Sequence, residues 1–222
     1  MSQYEPLMAR DGHTFSTYIV KPSGKARGGV VIVQEIFGLA PHICRITDGY
    51  AQQGYLAVAP ALFDRVARGL VLGYSAAEVQ QGLGYRQQIP TEKAVMDIAA
   101  AAAICRHVGR VAVIGFCWGG RLAWAAACEL PLAAAVCYYG GGIVQELPRT
   151  PQCPTQLHFG EQDRSIPLSD VERIRAAYPQ GEFHTYAAGH AFSNDDRPQN
   201  YDEPASTLAQ QRTLAFLTQH VG

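Results

Sequence analysis

The sequence has no cysteine pair spaced as CxxC, no excess of either charge and no apolar run of bilayer length, and each absence removes a class of function. The six cysteines, Cys44, Cys105, Cys117, Cys128, Cys137 and Cys153, are scattered along the chain. Four lie in apolar stretches, where free thiols commonly pack. A zinc centre or disulfide framework is therefore not expected, and reduced thiols fit a cytoplasmic protein. With 18 basic and 19 acidic residues the formal net charge is -1, so no general field attracts nucleic acid or an anionic membrane. The first ten residues include Glu5 and Arg10 and lack the basic start and apolar core of a secretory signal. No segment approaches the about 20 apolar residues of a membrane-spanning helix. The expected partner is a small molecule, and the expected state is a monomer.

What is present is a regular alternation. Strand-like runs recur at Gly29–Gln34, Tyr55–Ala59, Arg110–Gly115, Leu132–Tyr139, Thr155–Phe159 and Glu182–Ala187. Most are continuously apolar, as strands buried on both faces are. Helical patterns fall at Thr91–His107, Trp118–Glu129, Leu168–Tyr178 and Pro204–His220. This alternation predicts a single three-layer α/β domain over residues 1–222, with a mostly parallel central sheet and helices on both faces. Phe63–Pro90, rich in Gly and Gln, is the least regular part and reads either as a flap over a site or as a surface excursion.

The strongest local signal is Gly115-Phe-Cys117-Trp-Gly119-Gly120, where an apolar strand runs into G-x-C-x-G and then a helix. Small residues at both flanks let the chain turn sharply, so Cys117 would stand above the sheet at a helix N-terminus. There the dipole favours a thiolate, and the amide of Trp118 is free for an oxyanion. A small core thiol beside a tight turn is the plain alternative.

Two later strands end in polar residues, Gly160-Glu-Gln-Asp163 and Gly189-His190-Ala-Phe192. Functional groups in open α/β sheets gather at the carboxyl ends of strands, so Cys117, Asp163 and His190 can converge. Their order, nucleophile, acid, then His, is that of α/β-hydrolases. Taken alone, Asp163 reads as a turn or cap residue. Rival acids are Glu161, Asp195 and Asp196; rival bases are His158 and His184, inside strands, and His13, His42, His107 and His220. After the first buried strand comes Gln34-Glu35-Ile36-Phe37-Gly38, which offers the Ile36 amide as second oxyanion donor. Glu35 beside Cys117 would disfavour the thiolate until substrate moved the carboxylate; otherwise it serves only loop hydrogen bonds.

Five stretches, Gln34 to His42, Gly54 to Pro60, Gly115 to Gly120, Gly160 to Asp163 and Gly189 to Phe192, together resemble the dienelactone hydrolase family, the carboxymethylenebutenolidases. The resemblance implies an α/β-hydrolase fold, a Cys-His-Asp triad cleaving an ester or lactone through an acyl-enzyme, a glutamate paired with the cysteine before substrate binds, and no metal or organic cofactor. It also implies arginines for a substrate carboxylate, one shortly after the catalytic His. Here Ala191 to Asn194 carries none and the first arginine after His190 is Arg197, while the nearest earlier aromatic and basic pair is Tyr85-Arg86, where Arg86 can compensate if Phe63–Pro90 folds over the site; Arg121, Arg164 and Arg197 are the remaining candidate cations. Weak preference for carboxylate substrates is therefore expected, with Phe37, Tyr85, Arg86, Phe192 and Asn194 as candidate substrate contacts. Competing readings are a thioesterase or general carboxylesterase on the same triad, a redox-sensing thiol protein and a non-catalytic binding module.

Overall fold

A computed structural model describes residues 2–222; Met1 lies outside the described residues. Eight strands form one sheet in the order β1-β2-β4-β3-β5-β6-β7-β8. The five central strands, β3 (Gly29–Val33), β4 (Leu56–Pro60), β5 (Val111–Phe116), β6 (Ala134–Tyr138) and β7 (Thr155–Gly160), are buried at every position. That burial is what their unbroken apolar composition requires, because helices cover both faces of a parallel sheet. They pair in parallel, as does the edge strand β8 (Glu182–Tyr186) with β7.

Strands β1 (Ser2–Met8) and β2 (Thr14–Val20) add an antiparallel hairpin at the other edge. Sequence patterning gives no run there, since β1 is exposed along nearly its whole length and β2 carries three hydroxyl residues among its first four. The helix α1 (Pro41–Gln52) is equally quiet in sequence, being polar on one side and starting at a proline.

Strand order reverses between β3 and β4, so right-handed crossovers put α1 on one face and α3 (Thr91–Cys105) and α4 (Trp118–Glu129) on the other, where these two pack together. Two more helices complete the layers: α5 (Leu168–Ala177) and α6 (Glu203–His220), the latter capped by the Asp202 side chain on the Ala205 amide. Among the described residues no helix is long and apolar enough to cross a membrane.

The Phe63–Pro90 segment is more ordered than its composition predicts. It contains the helix α2 (Ala76–Gln87), opened by a reciprocal capping box between Ser75 and Glu78. Gly82 looks like a breaker but has a packing reason: a Cβ there would collide with the carbonyl oxygen of Ile36. Upstream, the Leu72 amide donates to the Phe37 carbonyl at 3.0 Å. The segment is thereby fastened across the end of β3.

Candidate active site

Cys117 joins β5 to α4 with φ 54° and ψ −116°, a conformation that costs a non-glycine residue on the order of 1–3 kcal/mol and persists only when its surroundings enforce it. Close approach of backbone does so here. A Cβ at Gly115 would meet the carbonyl of Gly119, one at Gly119 would meet that of Val33, and one at Gly120 would meet that of Tyr138. The Cys117 amide donates to Tyr138 at 3.0 Å, leaving the side chain to project above the sheet.

The three residues expected to converge do so. His190 Nε2 lies 3.2 Å from Cys117 Sγ, and His190 Nδ1 lies 2.6 Å from Asp163 Oδ2. The second Asp163 oxygen accepts the Ser165 amide at 2.7 Å, and Asn200 donates its side-chain amide to the His190 carbonyl at 3.1 Å. Burial works against a charged imidazole, but the negative charge on Cys117 and the hydrogen bond to Asp163 outweigh it and hold His190 at about 10.

Rival residues are engaged elsewhere. His158 is fully buried, bonded to Tyr186, Gln156 and Thr213, and held well below its ordinary range by burial. His184 pairs with Glu182, Glu161 accepts from Thr185, and Asp195 and Asp196 share Arg45.

Glu35 departs from expectation. Its Oε2 accepts the Asn194 side-chain amide at 2.6 Å, its Oε1 is buried without a partner, and no hydrogen bond links it to Cys117. Sγ has His190 as its hydrogen-bond partner, while the fully buried Asn194 holds one oxygen of the Glu35 carboxylate. Cys117 is therefore expected to react with iodoacetamide first of the six cysteines with no substrate present. Burial raises the thiols of Cys105 to about 12 and of Cys128 and Cys153 to about 11, holds Cys137 well above the ordinary thiol range, and also raises Cys44. Peptide mapping after a brief pulse checks this, and labelling of Cys44 as fast as Cys117 would contradict it.

A cavity of about 790 Å³ opens over Cys117. Ile36 and Trp118 line it, and their backbone amides make no hydrogen bond to the protein among the described residues, which leaves both donors free. Phe37 and Arg86 line it as expected. Three proposed contacts do not. Asn194 is spent on Glu35, Phe192 is fully buried with its ring 5.3 Å from Tyr139, and Tyr85 packs at 5.8 Å against Phe63 beneath α2.

The cavity also gathers three of the candidate cations. Arg197 returns to the cavity because a tight turn, with its amide on the Asn194 carbonyl at 3.1 Å, folds the chain back after His190. Its guanidinium stacks over Phe37 at 5.6 Å and Tyr74 at 5.9 Å. Arg86 and Arg164 complete a lining with three arginines and no carboxylate except Asp163 behind it, and none of the three forms a salt bridge among the described residues. Arg197 is among the cations that the sequence offers, though not at the spacing that the resemblance implies; no pattern marks Asn200.

Residues 15–221 match the model of the dienelactone hydrolase family. The carboxymethylenebutenolidase of Pseudomonas putida is 33% identical over 223 residues, covering 95% of this chain and 94% of its own. Carboxymethylenebutenolidase 1 of Cupriavidus pinatubonensis is 30% identical over 221 residues, with coverage of 95% and 94%. A Klebsiella pneumoniae protein solved as a dienelactone hydrolase superposes with a TM-score of 0.85 at 29% identity, covering 99% of this chain and 98% of that one. Sequence likeness along nearly the whole length, on the same architecture, means that this chain belongs to the dienelactone hydrolase family and is a carboxylic ester hydrolase.

Proposed function

We propose that the protein hydrolyses a carboxylate-bearing ester or lactone through an acyl-enzyme on Cys117. The observation that carries this is the unbroken chain from Cys117 Sγ through His190 to Asp163, at 3.2 and 2.6 Å. The sulfur attacks the carbonyl carbon, and the electron pair displaced onto oxygen is met by the Ile36 and Trp118 amides. Collapse of that intermediate breaks the ester C–O bond, and His190 Nε2 delivers its proton to the departing alkoxide. For a lactone, the released hydroxyl stays tethered to the acyl group. Water then attacks the thioester while His190 accepts its proton, the C–S bond breaks, and the acid leaves. Asp163 keeps Nδ1 protonated throughout and stabilises the imidazolium. No step calls on a metal or organic cofactor, and the substrate is a small molecule taken up by a single chain.

Arg86 and Arg197 favour an anionic substrate, since a charge-assisted hydrogen bond to a bound carboxylate is worth about 1.5–3 kcal/mol. For an ester pair matched in size, kcat/KM is expected to favour the carboxylate member by about 10- to 100-fold, and Arg86→Gln or Arg197→Gln should remove most of that preference. Equal rates on both esters in the wild type would refute anion selection. A preference surviving both replacements would move it to Arg164.

A further inference from the structure

On the face of the sheet that carries α1 and α6 lies a second cavity, of about 320 Å³, which shares no lining residue with the one over Cys117. Its base is formed by Phe116 and Tyr138, whose rings stack 4.7 Å apart at 26°. The Tyr138 hydroxyl is committed to Thr213 at 2.7 Å, so this residue offers its ring rather than its polar end.

The polar wall is incomplete in a specific way. His42, 3% exposed on α1, places Nδ1 2.9 Å from Asp195 Oδ1. A carboxylate only accepts, so Nδ1 carries a proton and donates to Asp195, which leaves Nε2 as the free end of the ring. That Nε2 is buried without a partner, as is the hydroxyl of Ser193 on the same wall. Buried polar atoms left unpaired are uncommon and costly. Arg45 also lines the cavity, but its charge is already met by Asp195 at 2.7 Å and Asp196 at 2.6 Å, which leaves no call for an anion. Gly49 contributes open space, since a Cβ built there meets nothing within 4 Å.

We propose that this cavity is a second ligand site, for a neutral hydroxylated aromatic molecule of the phenol type. A hydroxyl both donates and accepts, so it matches the unpaired groups of His42 and Ser193 in kind, while the ring packs on the Phe116 and Tyr138 pair. A water could satisfy the same atoms, but it would leave the aromatic base uncovered.

The test is calorimetric titration of the intact enzyme with phenol, in four forms: wild type, enzyme alkylated at Cys117, Gly49→Leu and Ser193→Ala. Leucine is a better helix former than glycine, and it points into the space the ligand needs, so Gly49→Leu should keep its ester hydrolysis while losing phenol. One saturable site is expected in the wild type, unchanged by alkylation, weakened at least about tenfold in Gly49→Leu and about threefold or more in Ser193→Ala. Toluene, without the hydroxyl, should bind at least about tenfold more weakly than phenol. Absence of saturable binding overturns the proposal. So does binding abolished by alkylation, which places phenol over Cys117, or binding undiminished in Gly49→Leu.

Discussion

Cys117→Ala is expected to lower kcat for ester hydrolysis by about 10⁴-fold or more, because removing a covalent nucleophile forfeits the whole acyl-enzyme route. An alanine variant retaining more than about a hundredth of the wild-type rate would sink the assignment. The backbone provides an internal control. Alanine inherits the φ of 54° at this position and with it the strain, so the variant should unfold at nearly the wild-type denaturant concentration. Cys117→Gly should be equally inactive yet more stable, by about 1 kcal/mol, since glycine enters this conformation without the steric cost and loses part of that gain to its own chain entropy. Paired unfolding and rate measurements on the two variants separate lost chemistry from lost structure.

Asp163→Asn carries the second large effect, a fall in kcat of about 10³- to 10⁴-fold. The direction follows from the hydrogen bonds around the carboxylate. One oxygen accepts the Ser165 amide and the other faces His190 Nδ1. An asparagine must keep its oxygen toward Ser165, and it then presents its NH₂ group to Nδ1. Nδ1 is forced to accept, the ring proton moves to Nε2, and the neutral ring can no longer take a proton from water during deacylation. The charge that supports the imidazolium is lost as well. Because the three residues act as a unit, Asp163→Asn combined with His190→Ala should cost little more than His190→Ala alone. Multiplicative losses would show that Asp163 and His190 act separately. The rate-pH profile of His190→Ala should also lose its histidine limb.

Legibility in the sequence followed burial and local geometry. The five central strands and the helices α3 to α6 were readable because strands buried on both faces need uninterrupted apolar composition, and because capped or alanine-rich helices advertise their ends. Helix α2 was not readable. Its two glycines lower helix propensity, and the reason for Gly82, contact with the Ile36 backbone, lies far away in sequence. The exposed strand β1 has no face that must be apolar, so its pattern is silent.

By itself, the sequence determined the α/β architecture and the positions of Cys117, Asp163 and His190, since a nucleophile turn and two strand-end loops are written in contiguous residues whose local backbone demands are strict. Only tertiary structure decided the partners of those residues. Glu35 lies closer in sequence to the oxyanion loop than to anything else, yet it is Asn194, 159 positions away, that holds its carboxylate, while Cys117 has His190 as its partner. Likewise Arg86 and Arg197 reach one cavity because α2 folds across β3 and the chain doubles back after His190. A side chain's charge is fixed by its identity, but what that charge meets depends on how distant segments pack.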